Sequence, residues 1–210
     1  MNFRVLSISL LLLVTLGRAA QATAPNVSSK ARVIAEVERL GGKVELDETL
    51  PAKPIVKIDL HSTQVRDEDL AFLGQARKDL KELRYLDLRL THIGDAGAVN
   101  LKNLTSLQTL NLFRTQVGDK GLAYVKNLRH LQTLLIGGTR VTDAGLVNLK
   151  RLTELKKLSL FQTQVTDAGI PHLKILSKLE SLLISGTKIT DEGARELQRA
   201  LPRLRFSENT

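Results

Sequence analysis

The sequence has no cysteine, no tryptophan and one methionine, and aromatic residues make up only 3% of its 210 positions. Without cysteine there is no disulfide framework, no thiolate metal site and no thiol to carry a lipid anchor. With so few rings, the hydrophobic 42% must build an aliphatic core, and leucine dominates it. Long apolar runs are scarce too. The one present, Val5–Leu16, falls short of the about 20 residues that a membrane-spanning helix needs. Acidic charge is in deficit: 31 Lys and Arg stand against 22 Asp and Glu, a formal net charge of +9. That balance favours anionic partners or surfaces and says nothing of the fold.

The start of the chain has one early cation (Arg4), the apolar run, and then small residues, which is the pattern of a secretory signal peptide over residues 1–22. Ala20-Gln21-Ala22 supplies the cleavage site, with Ala22-Thr23-Ala24 as a second choice. A retained anchor is the competing reading, opposed by the short run and by Arg18 behind it. The expectation is an exported protein, periplasmic or extracellular, with no membrane span after cleavage. An exported chain without disulfides must draw its stability from packing, which suits a bacterial envelope.

Residues 23–54 are read as a leader and N-terminal cap. Val33, Ile34, Val37 and Leu40 recur at three- and four-residue spacing and predict a helix from Ser28 or Ser29, ended by Gly41-Gly42. Lys43–Leu46 follows as a short strand, and Pro51 and Pro54 mark a loop.

From Ile55 the chain repeats. Units begin at Ile55, Leu83, Leu107, Leu131, Leu155 and Leu179 and occupy 55–82, 83–106, 107–130, 131–154, 155–178 and 179–204, with 205–210 left as a tail. Counting from Leu131, the rule is L-x-x-L-x-L-x-x-T-x-V-T-D-A-G-L-x-x-L-x-x-L-x-x. A fixed period in this range is the mark of a stacked solenoid. Positions 4 and 6 alternate with period two and predict a strand with one face inward, while positions 16, 19 and 22 put a short helix's apolar side inward. Position 9 is threonine throughout (Thr63, Thr91, Thr115, Thr139, Thr163, Thr187), expected as a ladder bonding turn backbone in its own and the next coil. Position 13 is aspartate throughout (Asp67, Asp95, Asp119, Asp143, Asp167, Asp191), expected to cap the helices, since Asp before an apolar helical run is a favoured N-cap. The glycine at position 15 allows close packing of the helix's first turn.

These motifs resemble the leucine-rich repeat, with threonine where many members carry asparagine or cysteine. The Thr-Asp-x-Gly-Leu variant in an exported, cysteine-free chain resembles the repeat proteins of planctomycete-type bacteria. The resemblance implies an α/β fold: a right-handed solenoid with a curved parallel strand ladder inside and short helices outside. It implies a recognition scaffold rather than an enzyme.

The strand face that such repeats use for binding falls on positions 3, 5, 7 and 8. The candidates there are Tyr85, Asp87, Arg89, Asn111, Phe113, Arg114, Leu135, Lys157 and Phe161, because aromatic rings flanked by arginine are typical interface anchors. The competing role for Phe113 and Phe161 is to fold down over strand ends. Asp59, His61 and Asp87, with Ser62 beside them, form a polar cluster on neighbouring strands; without a nucleophile turn or oxyanion donors it is read as a solvated patch, neither metal site nor triad. Lys102, Lys126, Lys150 and Lys174 recur at position 20 and form a basic row that can follow an acidic polymer or an anionic surface, or simply complement helix C-termini. The expectation is non-catalytic recognition of a protein or peptide, with the basic row as the alternative. No cofactor or nucleic acid is expected, and the chain is expected as a monomer or as a weak dimer through its strand edges.

Overall fold

The computed structural model describes residues 28–207, so the signal segment expected at 1–22, the start of the leader and the last three residues of the tail lie outside it. The first element is helix α1, Ser29–Arg39, whose N-cap Ser28 accepts a hydrogen bond from the Ala31 N–H at 3.2 Å. Val33 and Val37 form its buried stripe. Gly41, at φ +81°, turns the chain into strand β1, Lys43–Leu46, which pairs antiparallel with β2, Ile55–Asp59. This unit lays Val33 and Val37 over the end of the core that Ile55, Ile58 and Leu60 would otherwise leave open.

Strands β3 (Tyr85–Asp87), β4 (Thr109–Asn111), β5 (Thr133–Leu135), β6 (Lys157–Ser159), β7 (Ser181–Leu183) and β8 (Arg205–Phe206) then add in parallel, one beside the next in chain order. The register sets each repeat position against its equivalent, so Ile58, Leu86, Leu110, Leu134, Leu158 and Leu182 form one inward row. The expected α/β solenoid with a parallel ladder is the architecture observed. Its last strand corrects the reading of 205–210 as a tail: Phe206 pairs with Leu182, and Leu201 and Leu204 before it are buried. The chain thus begins one further rung, because Leu201 and Leu204 still bury apolar surface against the preceding coil.

The return segments are short. Helices α2 (Ala71–Gln75), α3 (Asp95–Ala98), α4 (Asp119–Val125), α5 (Asp143–Leu146) and α6 (Ile170–Leu173) alternate with 3-10 turns, and only α7, Asp191–Ala200, reaches ten residues. Leu122, Leu146 and Leu149 face inward from this side and meet Leu110, Leu134 and Leu158 from the strands, all essentially without solvent exposure. Each such leucine contributes about 1.5–3 kcal/mol of burial relative to exposure, and no coil can bury its own alone.

Two side-chain columns run along the stack, and each differs from its expected role. The threonine column stays within its own coil: every hydroxyl donates to the carbonyl three residues earlier, as Thr115 does to Leu112 at 2.8 Å and Thr163 to Leu160 at 2.7 Å. The aspartates do not cap helices. Each is the first helical residue, and the residue before it is the cap, for example Gly118, Thr142, Thr166 and Thr190. In the five before Asp191 the carboxylate instead reaches the next coil. Asp95 accepts from the N–H groups of Gly118 and Gly121 at 2.7 and 2.8 Å. Asp119 takes both the N–H and the hydroxyl of Thr142, at 2.8 and 2.7 Å, and Asp143 and Asp167 repeat this with Thr166 and Thr190. The physical reason is that the N–H at position 12 sits where strand pairing has ended, and the nearest strong acceptor is the preceding coil's aspartate.

The same contact explains the glycine column. A Cβ at Gly121 would lie 2.6 Å from Asp95 Oδ1, and one at Gly169 would lie 2.7 Å from Asp143 Oδ1. Position 15 is therefore glycine because the previous coil's carboxylate occupies the space of a side chain.

Candidate functional site

Three residues beyond each of strands β2 to β7 stands a residue with left-handed backbone. Ser62, Leu90, Arg114, Gly138, Gln162 and Gly186, all at position 8, have φ between +51° and +74°. The N–H groups of the first five still pair with the next coil, as Arg114 does with the Gly137 carbonyl at 2.8 Å, so the ladder runs past the strand and then turns sharply. Gly138 and Gly186 carried this signal in the sequence. Leu90 and Arg114 hid it.

The sharp turn exposes the position-7 row, in which Phe113 and Phe161 flank Gly137. Two rungs of a ladder lie about 10 Å apart. The two rings nevertheless lean together to a centroid distance of 6.2 Å with 26° between their planes. They close over Gly137, where a Cβ would meet Phe161 Cβ at 3.0 Å. The Arg114 guanidinium lies 5.2 Å from the Phe113 ring centre. Both rings remain half-buried, and Leu135 and Leu183 beside them are half-buried as well. Lys157 is exposed at the edge of this patch. The structure therefore brings Phe113, Arg114, Leu135, Lys157 and Phe161 to one surface.

Two of the candidates belong beneath that surface, not on it. Asp87 is 1% exposed and Asn111 4%. Asp87 accepts from the Tyr85 hydroxyl at 3.2 Å, the Arg89 N–H at 3.0 Å and the Asn111 amide at 3.4 Å, while Arg89 Nε stands 3.5 Å away. Asn111 in turn accepts from the Phe113 N–H at 3.1 Å. Their reach as contact residues is corrected accordingly: a short side chain at position 5 folds back onto the N–H two residues on, and so fixes the backbone that carries Arg89 and Phe113. Burial and the Asp87 carboxylate push the Tyr85 phenol above its ordinary value. Lys57 lies 5.1 Å from the Tyr85 ring centre and is held by Glu45, which raises its pKa.

Asp59, His61 and Asp87 do come together, each offering a ligand atom within 4.8 Å of the others. Two of the three are bonded to each other. His61 Nδ1 lies 2.5 Å from Asp59 Oδ1, which also accepts the His61 N–H at 3.1 Å. Burial pushes the Asp59 carboxyl up, but the hydrogen bonds from His61 outweigh it and leave the group below its usual value. His61 is partly exposed, and Asp87 beside the pair is bonded into the Tyr85–Asn111 network.

The basic row divides. Lys102, Lys126 and Lys150 are exposed, whereas Lys174 pairs with Glu196, and nearby Lys178 pairs with Glu154 at 2.7 Å. The C-terminal end of the row is thereby neutralised, and the Lys178 contact holds the Glu154 carboxyl below its usual range.

Comparison with known proteins gives a consistent picture. The family described as leucine-rich repeat region matches residues 55–206. No curated protein sequence matches the chain. Among solved structures, an internalin from Listeria monocytogenes is similar at 18% identity with a TM-score of 0.53, over 89% of this chain and 59% of that one. The chain thus spans less than two thirds of the internalin's length, and the likeness is one of fold. Among the described residues no helix is long and apolar enough to cross a membrane.

Proposed function

Since this chain belongs to the leucine-rich repeat family, we propose that it is a non-catalytic module that recognises a protein or peptide on its strand face. The observation that carries the reading is the Phe113–Phe161 pair closed over Gly137, with Arg114 against one ring and Lys157 beside the other strand. Half-exposed aromatic rings on a rigid ladder supply contact area at small entropic cost, and the buried Asp87–Asn111 network beneath them keeps the surface preformed. Tyr85 and Arg89 extend the patch toward the N-terminal coils. The family is in general a recognition scaffold, which supports reading the face as a binding surface and not as a reaction centre.

The proposed setting is the bacterial envelope, on the strength of the signal-like residues 1–22. Mass spectrometry of the protein recovered from its own cells should show a mature N-terminus at Thr23; an intact Met1 would contradict export with cleavage. The binding reading is tested by pull-down from an envelope extract at low and high salt, with wild type beside Phe113→Ser/Phe161→Ser. The expected result is a salt-resistant protein partner lost in the double variant. A variant that loses thermal stability while keeping the partner would assign the rings a structural role and remove this reading.

A further inference from the structure

The helix side of the first four coils carries a feature that the strand-face reading does not use. The first coil is longer than the others, and its extra residues raise Arg77, Lys78 and Lys81 around a concavity of about 590 Å³ closed by Asn103, Thr105 and Ser106. A second hollow of about 430 Å³ shares Gln75, Arg77 and Asn103 with the first and adds Asn100 and Lys102. Further along, Lys126, Lys150 and Arg151 line a third with Asn148, of about 390 Å³. All seven cations are exposed, and none takes part in an ion pair among the described residues. The one carboxylate lining these hollows, Asp79, accepts a hydrogen bond from the Ser29 hydroxyl at 2.9 Å. Glu154 at the end of the fourth coil, and Glu192 and Glu196 in the last, each hold a cation of their own.

We propose that this chain of basic hollows binds a linear acidic polysaccharide. The argument is chemical and geometric. Cations alternate with neutral amides and hydroxyls, the combination that meets a polymer bearing both carboxylates and hydroxyl groups. Asn100 and Asn148 donate their amide N–H to the Gly97 and Gly145 carbonyls, at 3.2 and 3.1 Å, which holds the side chains in place and leaves the amide oxygen to accept from a hydroxyl. No aromatic ring lines the three hollows, so the stacking that single-stranded nucleic acids require is missing. The cations sit in hollows between coils, and a narrow strand enters these more readily than a membrane surface does.

The test uses the full-length chain and a decameric oligogalacturonate, with the methyl-esterified decamer, phosphatidylglycerol vesicles and a thymidine 20-mer as comparators, each titrated by calorimetry. The decamer is expected to bind, with affinity falling at least about tenfold between 50 and 300 mM salt as counterions are released. Arg77→Glu/Lys102→Glu/Lys126→Glu should lose that binding, and Phe113→Ser/Phe161→Ser should keep it, which separates this surface from the strand face. Should the charge-reversed variant unfold by circular dichroism, Arg77→Gln/Lys102→Gln/Lys126→Gln replaces it, with a loss of at least about tenfold expected. Tighter binding of the vesicles or the thymidine strand, equal binding of the esterified decamer, absence of binding, or affinity untouched in a folded variant would each overturn the proposal.

Discussion

Replacing Asp119 by alanine separates an inter-coil staple from a helix cap. As a cap, Asp119 would contribute about 1 kcal/mol to its own helix. As found, its carboxylate accepts the N–H and the hydroxyl of Thr142 in the next coil, at 2.8 and 2.7 Å. Bonds to an ionised acceptor contribute about 1.5–3 kcal/mol each, and both residues are half-buried, so the lower end applies and the pair should be worth about 3 kcal/mol. For a chain of this size that corresponds to a fall of about 6–12 °C in Tm. Denaturant melts of Asp119→Ala, Thr142→Ala and the double variant give the coupling, expected at about 1.5 kcal/mol for the hydroxyl bond alone. The cycle also cancels the bond that Thr142 makes as cap to the Ala144 N–H at 3.3 Å. Gly145→Ala attacks the same contact from the other side, since its Cβ would collide with Asp119 Oδ1. Helix propensity alone says that this change stabilises by about 1 kcal/mol. A stabilised Gly145→Ala, or zero coupling between Asp119 and Thr142, would refute the staple.

Two further consequences follow from the backbone and the charges. Leu90 is 44% exposed at φ +56°, so Leu90→Gly should raise the unfolding free energy by about 1 kcal/mol as left-handed strain is relieved; a lower value in denaturant melts would mean that Leu90 packs usefully. Asp167 titrates below its ordinary value because the Thr190 hydroxyl and N–H donate to it. A folded value below the unfolded one means that its contribution is whole above the unfolded carboxylate value and is lost as pH falls through the folded one. Far-ultraviolet circular dichroism below about pH 4 should therefore show a shallower acid transition in Asp167→Asn than in wild type, and identical slopes would contradict this.

Much of the scaffold is legible in the amino acids because its determinants are local. Period-two leucines give the strands, leucines at 16, 19 and 22 give the inward helical side, and the constant offset between units gives parallel stacking. What escapes is whatever depends on a neighbour one coil away. Asp119 looks like a cap because Asp before an apolar run is a capping pattern, and its true partner stands 23 positions on. Phe113 and Phe161 look like separate anchors, whereas the missing side chain at Gly137 lets them meet. Asp87 looks like a surface charge at an outward position, yet Tyr85, Arg89 and Asn111 enclose it. Phe206 looks like tail, because a strand of two residues has no periodicity to read.

The central claim, recognition through the strand face, is tested most directly by site-specific photocrosslinking. A benzophenone amino acid is placed at Lys157 on the strand face, or at Lys126 on the helix side, and the chain is irradiated in an envelope extract. A protein adduct is predicted from position 157, lost when Phe113→Ser/Phe161→Ser is added and unaffected by salt, with none from position 126. Adducts from 126 alone, or from 157 regardless of the two rings, would contradict the account.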